Sequence, residues 1–196
     1  MSELATPVPA GTRLLCIDLQ PVFVAAVTDG DAVQRRCSLA LAAAIGLGLP
    51  VAFTEQVPQK LGPTAPAARA MAPTAPAWPK NTFSALGDPA IRAQLLETQP
   101  VEHLLLCGVE TPICVYQTAV DALAAGLHVT VLSDAVGARR PADARVALDA
   151  LARHGAHVLP VETVFYALLG TTTHPFFRAF TRLVKDHAHP SAPPHA

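Results

Sequence analysis

Cys114 lies in the stretch LLLCGVETPICVYQTAVDALAAG, just past an apolar run and at the first turn of an expected helix. A thiol there meets unpaired backbone N–H groups and the positive end of the helix dipole, and both favour thiolate. Two other residues could complete a nucleophilic site. Asp18 closes the apolar run RLLCID, and Lys80 follows a Pro-rich stretch. Cys114 would attack a carbonyl carbon while Asp18 takes the thiol proton and returns it to the leaving amine. Lys80 would hold the carboxylate in place. Backbone N–H groups at the turn before the helix could steady the oxyanion. Taken singly, each residue has a plainer account: Asp18 as a cap or turn former, Lys80 as a solvated loop cation, Cys114 as a buried first-turn cysteine. No histidine sits in an equally persuasive place, so the reading rests on the conjunction of the three.

The elements that must position these residues follow from hydrophobic patterning. RLLCIDLQ, LGLPVAFTEQ, HLLLCGV and LHVTVLSDAV read as apolar strands, and HVLPVETV as a last short strand entering a helix. Helical patterns cover residues 31–46, 111–125 and 142–154, the first with Asp29 or Asp31 available as its cap. Near-continuous apolar strands alternating with helices imply a parallel sheet covered on both faces. With right-handed crossovers, the expected fold is α/β: a three-layer αβα sandwich with a doubly wound, mainly parallel, Rossmann-like sheet. Ligands in such sheets bind outside the carboxyl ends of the strands, at the switch point. Asp18 and Cys114 both follow strand ends. They share one crevice if the first and third of these strands are neighbours.

Residues 57–79, VPQKLGPTAPAARAMAPTAPAWP, show no sustained periodicity. They read either as a solvated loop or as a cover over the site that presents Trp78 and Lys80. HPFFRAFTRLVKD reads as an amphipathic helix that packs on the body or on a second subunit. The expected organisation is an N-terminal extension (1–12), one domain (13–185) and a flexible tail (186–196).

Composition narrows the function classes. The chain of 196 residues is 51% hydrophobic and 15% charged, with a net charge of -1 and no basic cluster. Nucleic acid and anionic membrane are therefore poor partners. No signal-peptide pattern and no bilayer-spanning run occurs, and Cys16, Cys37 and Cys107 read as small buried hydrophobes, which fits a reducing cytoplasm. His154 and His157 form H-x-x-H, but a helix end followed by Gly155 and a strand accounts for them. Neither G-x-G-x-x-G nor G-x-x-x-x-G-K-[ST] occurs, which argues against a nucleotide-binding protein.

The pieces LLCIDLQPVF, AFTEQVPQKLGPT, PKNTFSA, GVETPICVYQTAVDAL and VLSDAVGAR resemble the isochorismatase-like cysteine hydrolases, over residues 13–185. The TEQ-x-P-x-x-LG-x-T run is similar to the branch of isochorismatase domain-containing proteins, and GVET-x-x-CV is the most specific motif. The resemblance implies a catalytic triad falling on Asp18, Lys80 and Cys114. It also implies a non-proline cis peptide joining Val109 to Glu110, with the backbone N–H groups of Glu110 and Cys114 as the oxyanion hole. Nicotinamidase-like members hold a metal through an Asp and histidines; the matching FTEQVPQ carries no histidine, so no metal and no cofactor is expected. Isochorismate hydrolysis itself needs no cysteine, so Cys114 argues against that substrate. The expected activity is metal-independent amidohydrolase chemistry on a small, neutral C–N compound through a thioester. The alternative is a catalytically silent binding or scaffold protein. Gln20, Phe23, Gln56, Trp78 and Tyr116 are candidate pocket residues because each lies beside a triad segment. The family's habit of forming dimers or larger closed assemblies makes a homo-oligomer the expected state.

Overall fold

The computed structural model describes residues 11–188. Its strands are β1 (Thr12–Ile17), β2 (Val51–Gln56), β3 (Ala77–Lys80), β4 (His103–Val109), β5 (His128–Gly137) and β6 (His157–Leu159). They form one sheet in the order β3-β2-β1-β4-β5-β6, with every pairing parallel. The order reverses between β1 and β4, so these two strands are neighbours, with Ile17 opposite Gly108. That is the switch point of a doubly wound sheet.

The helices are α1 (Pro21–Ala26), α2 (Gly30–Gly46), α3 (Pro58–Leu61), α4 (Pro66–Met71), α5 (Pro89–Ala93), α6 (Tyr116–Ala124), α7 (Pro141–Arg153), α8 (Val161–Leu169) and α9 (Phe177–Ala188). Alternation along β1 sends Leu14 and Cys16 into a core shared with α2, α8 and α9. Leu15 and Ile17 enter a second core shared with α5, α6 and α7. The sandwich therefore has three layers. The amphipathic C-terminal segment forms α9 and packs on the body: Phe180 is fully buried, with its ring 5.8 Å from that of Phe165.

Several expectations change. Residues 57–79 are not one irregular loop; they hold α3, α4 and most of β3. Both helices are single turns opened by proline, too short to show a period. Asp29 precedes α2 but takes a left-handed conformation (φ 51) and makes no side-chain cap. The helix expected from residue 111 begins with a π-type turn at Thr111–Val115 before α6. Residues 1–10 and 189–196, most of the expected extension and tail, lie outside the described residues.

Asp134, in the VLSDAVGAR segment, is structural. Its carboxylate pairs with Arg36 and accepts the Val161 N–H at 2.8 Å, tying α2 and the start of α8 to the end of β5. Cys16, Cys37 and Cys107 are fully buried, and the Cys37 thiol donates to the Ala135 carbonyl at 3.1 Å.

Candidate active site

The carboxyl end of β1 carries Asp18. Its backbone adopts φ 47, a left-handed conformation uncommon outside glycine, and its N–H is fixed to the Thr54 carbonyl at 3.1 Å. Gly108, on the adjacent β4, is required by space as well as by its φ of 112: a Cβ there would lie 2.0 Å from the Ile17 carbonyl oxygen. The two strand ends can approach only because this position has no side chain. The Val109–Glu110 peptide is cis. The chain then turns into the Thr111–Val115 segment, with Cys114 on its inner face and 8% exposed.

Lys80 is the last residue of edge strand β3, opposite Gln56, and not a loop cation. Its side chain is completely buried, and its ammonium lies 2.7 Å from the equally buried Asp18 carboxylate. It also donates to Gln56 Oε1 at 2.6 Å and to the carbonyls of Thr82 and Phe83, each at 3.2 Å. Four acceptors around three N–H bonds hold this amine in one place. The other Asp18 oxygen accepts the Thr54 hydroxyl at 2.7 Å. Thr54 is thus part of the site although sequence reading passed over it; its only signal was its place two residues before Gln56 at a strand end.

The Cys114 thiol is not held as thiolate. Burial first, and the neighbouring Asp18 carboxylate second, push it up to about 12, with Lys80 only partly opposing them. Desolvation and a nearby negative charge outweigh the helix end, so the resting state is a thiol beside a carboxylate. The alkylation rate of Cys114 by iodoacetamide, read by intact mass, is therefore expected to rise about tenfold per pH unit from pH 7 to 9. A plateau near neutral pH would instead reveal a preformed thiolate.

A cavity of about 360 Å³ opens over these groups. Asp18 and Cys114 form its floor together with Gln56, while Val22, Phe23, Phe83 and Ile113 supply an apolar wall. Glu110 and Arg139 stand at the mouth as an ion pair, Nε to Oε1 2.9 Å. Of the candidate pocket residues, Phe23 and Gln56 line this cavity and three do not. Gln20 is fully buried and pairs with the backbone of Gln56: its Oε1 accepts the Gln56 N–H at 2.7 Å, and its Nε2 donates to the Gln56 carbonyl at 3.1 Å and to that of Gly62 at 2.5 Å. It braces the strand that carries Gln56. Trp78 and Tyr116 pack against the Leu15/Ile17 core instead. Phe83 and Arg139, which reading along the chain did not single out, do line the cavity; both fall in segments, PKNTFSA and VLSDAVGAR, already marked by resemblance.

His154 closes α7, with Nδ1 3.0 Å from the Ala150 carbonyl, and His157 opens β6, so H-x-x-H follows a helix end and a strand start. No helix among the described residues is long and apolar enough to cross a membrane.

An all-parallel doubly wound sheet with its cavity at the β1/β4 switch point defines a Rossmann-like α/β protein. Residues 12–163 match the isochorismatase domain, and the chain belongs to that family. It is 36% identical over 185 residues to isochorismatase domain-containing protein 2 of Bos taurus, covering 93% of this chain and 87% of that one. Among solved structures, a MAR1 ribonuclease from Caenorhabditis elegans superposes with a TM-score of 0.83 at 31% identity, covering 94% of this chain and 93% of that one. The YcaC product of Escherichia coli, described as an octameric hydrolase of unknown specificity, superposes with a TM-score of 0.84 at 22% identity, covering 90% and 88%. The family match supports a hydrolase-type function, and the E. coli neighbour shows the same fold.

Proposed function

We infer that the protein is a metal-independent cysteine hydrolase that cleaves an amide-like C–N bond of a small, neutral molecule. The observation that carries this reading is the buried Asp18–Lys80 pair, 2.7 Å apart, beside Cys114 on the floor of an apolar cavity. Because the thiol is protonated at rest, its activation must accompany attack. Asp18 takes the S–H proton as sulfur bonds to the carbonyl carbon, and the N–H groups of Glu110 and Cys114 receive the oxyanion. The proton passes from Asp18 to the nitrogen as the C–N bond breaks, leaving an amine and a thioester. Water then attacks the thioester, giving its proton to Asp18. The C–S bond breaks, the acid leaves, and the proton returns to sulfur. Lys80 moves no proton in this scheme; it holds the Asp18 carboxylate in place between steps.

Substrate size and polarity follow from the walls. The volume suits a compact acyl group, and the mouth pair Glu110–Arg139 is internally neutralised, so neither charge is free to select an ionic substrate. The C. elegans relative is described as a ribonuclease, but a chain of net charge -1 with an apolar cavity offers little to a polyphosphate backbone. Assembly as a homo-oligomer belongs to the same proposal, prompted by the octamer described for the E. coli neighbour. A reducing cytoplasm belongs to it too, since all four cysteines are unpaired thiols.

The test is a panel of small aliphatic and aromatic carboxamides assayed for ammonia release, with single-stranded RNA as a control. Turnover of a neutral amide with a trapped acyl adduct on Cys114 is expected. Ligand-induced stabilisation without turnover would favour a binding protein, and RNA cleavage would overturn the substrate class.

A further inference from the structure

At the opposite end of the sheet from Cys114, the second residue of β1 is an arginine in an unusual state. Arg13 is 5% exposed. Its Nη2 donates to Gln99 Oε1 at 2.5 Å, while its Nε is buried with no hydrogen-bond partner among the described residues. No carboxylate among the described residues pairs with it. The more exposed Arg36, Arg139 and Arg140 each have an acidic partner. The most deeply placed of these four guanidinium groups is therefore the one without a counter-charge. An arginine cannot shed its proton at working pH, so an uncompensated one in the interior is unfavourable unless a negative group meets it. Trp78 offers partial compensation, its ring centroid 5.9 Å from the guanidinium carbon, but a ring face is a weak substitute for an anion.

Arg13 also lines open space. Two hollows, of about 550 and 410 Å³, meet at Arg13, Pro50 and Gln99. Ile45, Leu49, Met71 and Thr74 are among the residues that line the larger. Five residue steps along β1 and its end separate Arg13 from Asp18, about 17 Å, so this hollow is distinct from the cavity over Cys114.

We propose that this hollow is a second ligand site, which binds a small oxyanion, a carboxylate or phosphate carried on an apolar body, through Arg13 and Gln99. The guanidinium supplies charge and a planar pair of donors, Gln99 holds one arm of it in place, and Ile45, Leu49 and Met71 cover the apolar part of the ligand. The site stands independently of the chemistry proposed for Cys114.

Trp78 is the sole tryptophan of the chain and lies against Arg13, so intrinsic fluorescence reports on this site alone. The full chain is titrated with inorganic phosphate and with sodium butyrate, each against sodium chloride at equal ionic strength. Expected is a saturable fluorescence change with at least one oxyanion, and a Tm rise of about 5 °C or more at ligand about 100-fold above Kd. A response to phosphate alone identifies phosphate as the ligand chemistry, and one to butyrate alone a carboxylate. Arg13→Met should lose the response while remaining folded, because the substitution removes an uncompensated charge. Should that variant fail to fold, Arg13→Lys, which keeps the charge without the fork, should weaken binding at least tenfold. The proposal is overturned if neither oxyanion saturates below about 10 mM, if chloride acts equally, or if Arg13→Met responds as the parent does.

Discussion

Cys114→Ser is expected to lower kcat/KM by about 10⁴-fold or more while leaving substrate binding and folding nearly unchanged. The exchange replaces one buried hydrogen-bonding atom with a smaller one at a position 8% exposed, so the structural disturbance is slight. The chemical disturbance is large. A thiol raised to about 12 is still far more acidic than a hydroxyl in the same desolvated place. Asp18 suffices to draw off the thiol proton during attack; a buried hydroxyl asks much more of the same base. The measurement is steady-state turnover of the best amide in the panel, with ligand-induced Tm shifts to confirm that the pocket is intact. Retention of more than about a tenth of the activity would remove Cys114 from the nucleophile role and leave Asp18, with a bound water, as the alternative to pursue.

How much of this site could be read from the chain varies residue by residue, for physical reasons. Apolar runs too continuous for a half-exposed sheet announced central parallel strands, and a carboxylate or a nucleophile just past such a run lies at the carboxyl edge by geometry. Asp18 and Cys114 were therefore legible. The environment of Lys80 was not, because AWPK is a four-residue edge strand carrying a proline, where pattern gives almost no signal. Adjacency in sequence misled for Gln20 and Trp78. Gln20 lies two residues from Asp18, yet its side chain reaches β2 and not the cavity. Trp78, two residues before Lys80, packs in the core and stacks on Arg13 at the far end of β1. The ionisation of Cys114 was misjudged because a helix end is visible in sequence, whereas burial and the approach of Asp18 exist only in three dimensions. Thr54 stayed hidden for the same reason: a threonine within a strand is ordinary until its hydroxyl is seen on the Asp18 carboxylate.

The same pair that would drive the chemistry should also dominate the local energetics. Lys80→Met is expected to destabilise the protein by about 3–5 kcal/mol, because it strands the Asp18 carboxylate, 1% exposed, with the Thr54 hydroxyl and the weakly donating Cys114 thiol but no cation beside it. For a chain of this length the Tm should fall by about 6–20 °C. Asp18→Asn is expected to cost less. The Lys80 ammonium keeps three neutral acceptors, Gln56 Oε1 and the Thr82 and Phe83 carbonyls, and asparagine tolerates the φ of 47 that this position requires. The double variant Asp18→Asn/Lys80→Met removes both charges. It should be more stable than Lys80→Met alone by about 2 kcal/mol or more, although it lacks both charges of the proposed mechanism and should be inactive. Urea unfolding of the four proteins closes the cycle, with turnover recorded on each. Stability recovered without activity separates the fold's need for a balanced pair from the reaction's need for a charged one. Single variants within about 1 kcal/mol of the parent, or a double variant whose loss equals the sum of the two, would mean that the buried pair is not coupled. Lys80 would then no longer serve as the cation that holds Asp18 in place.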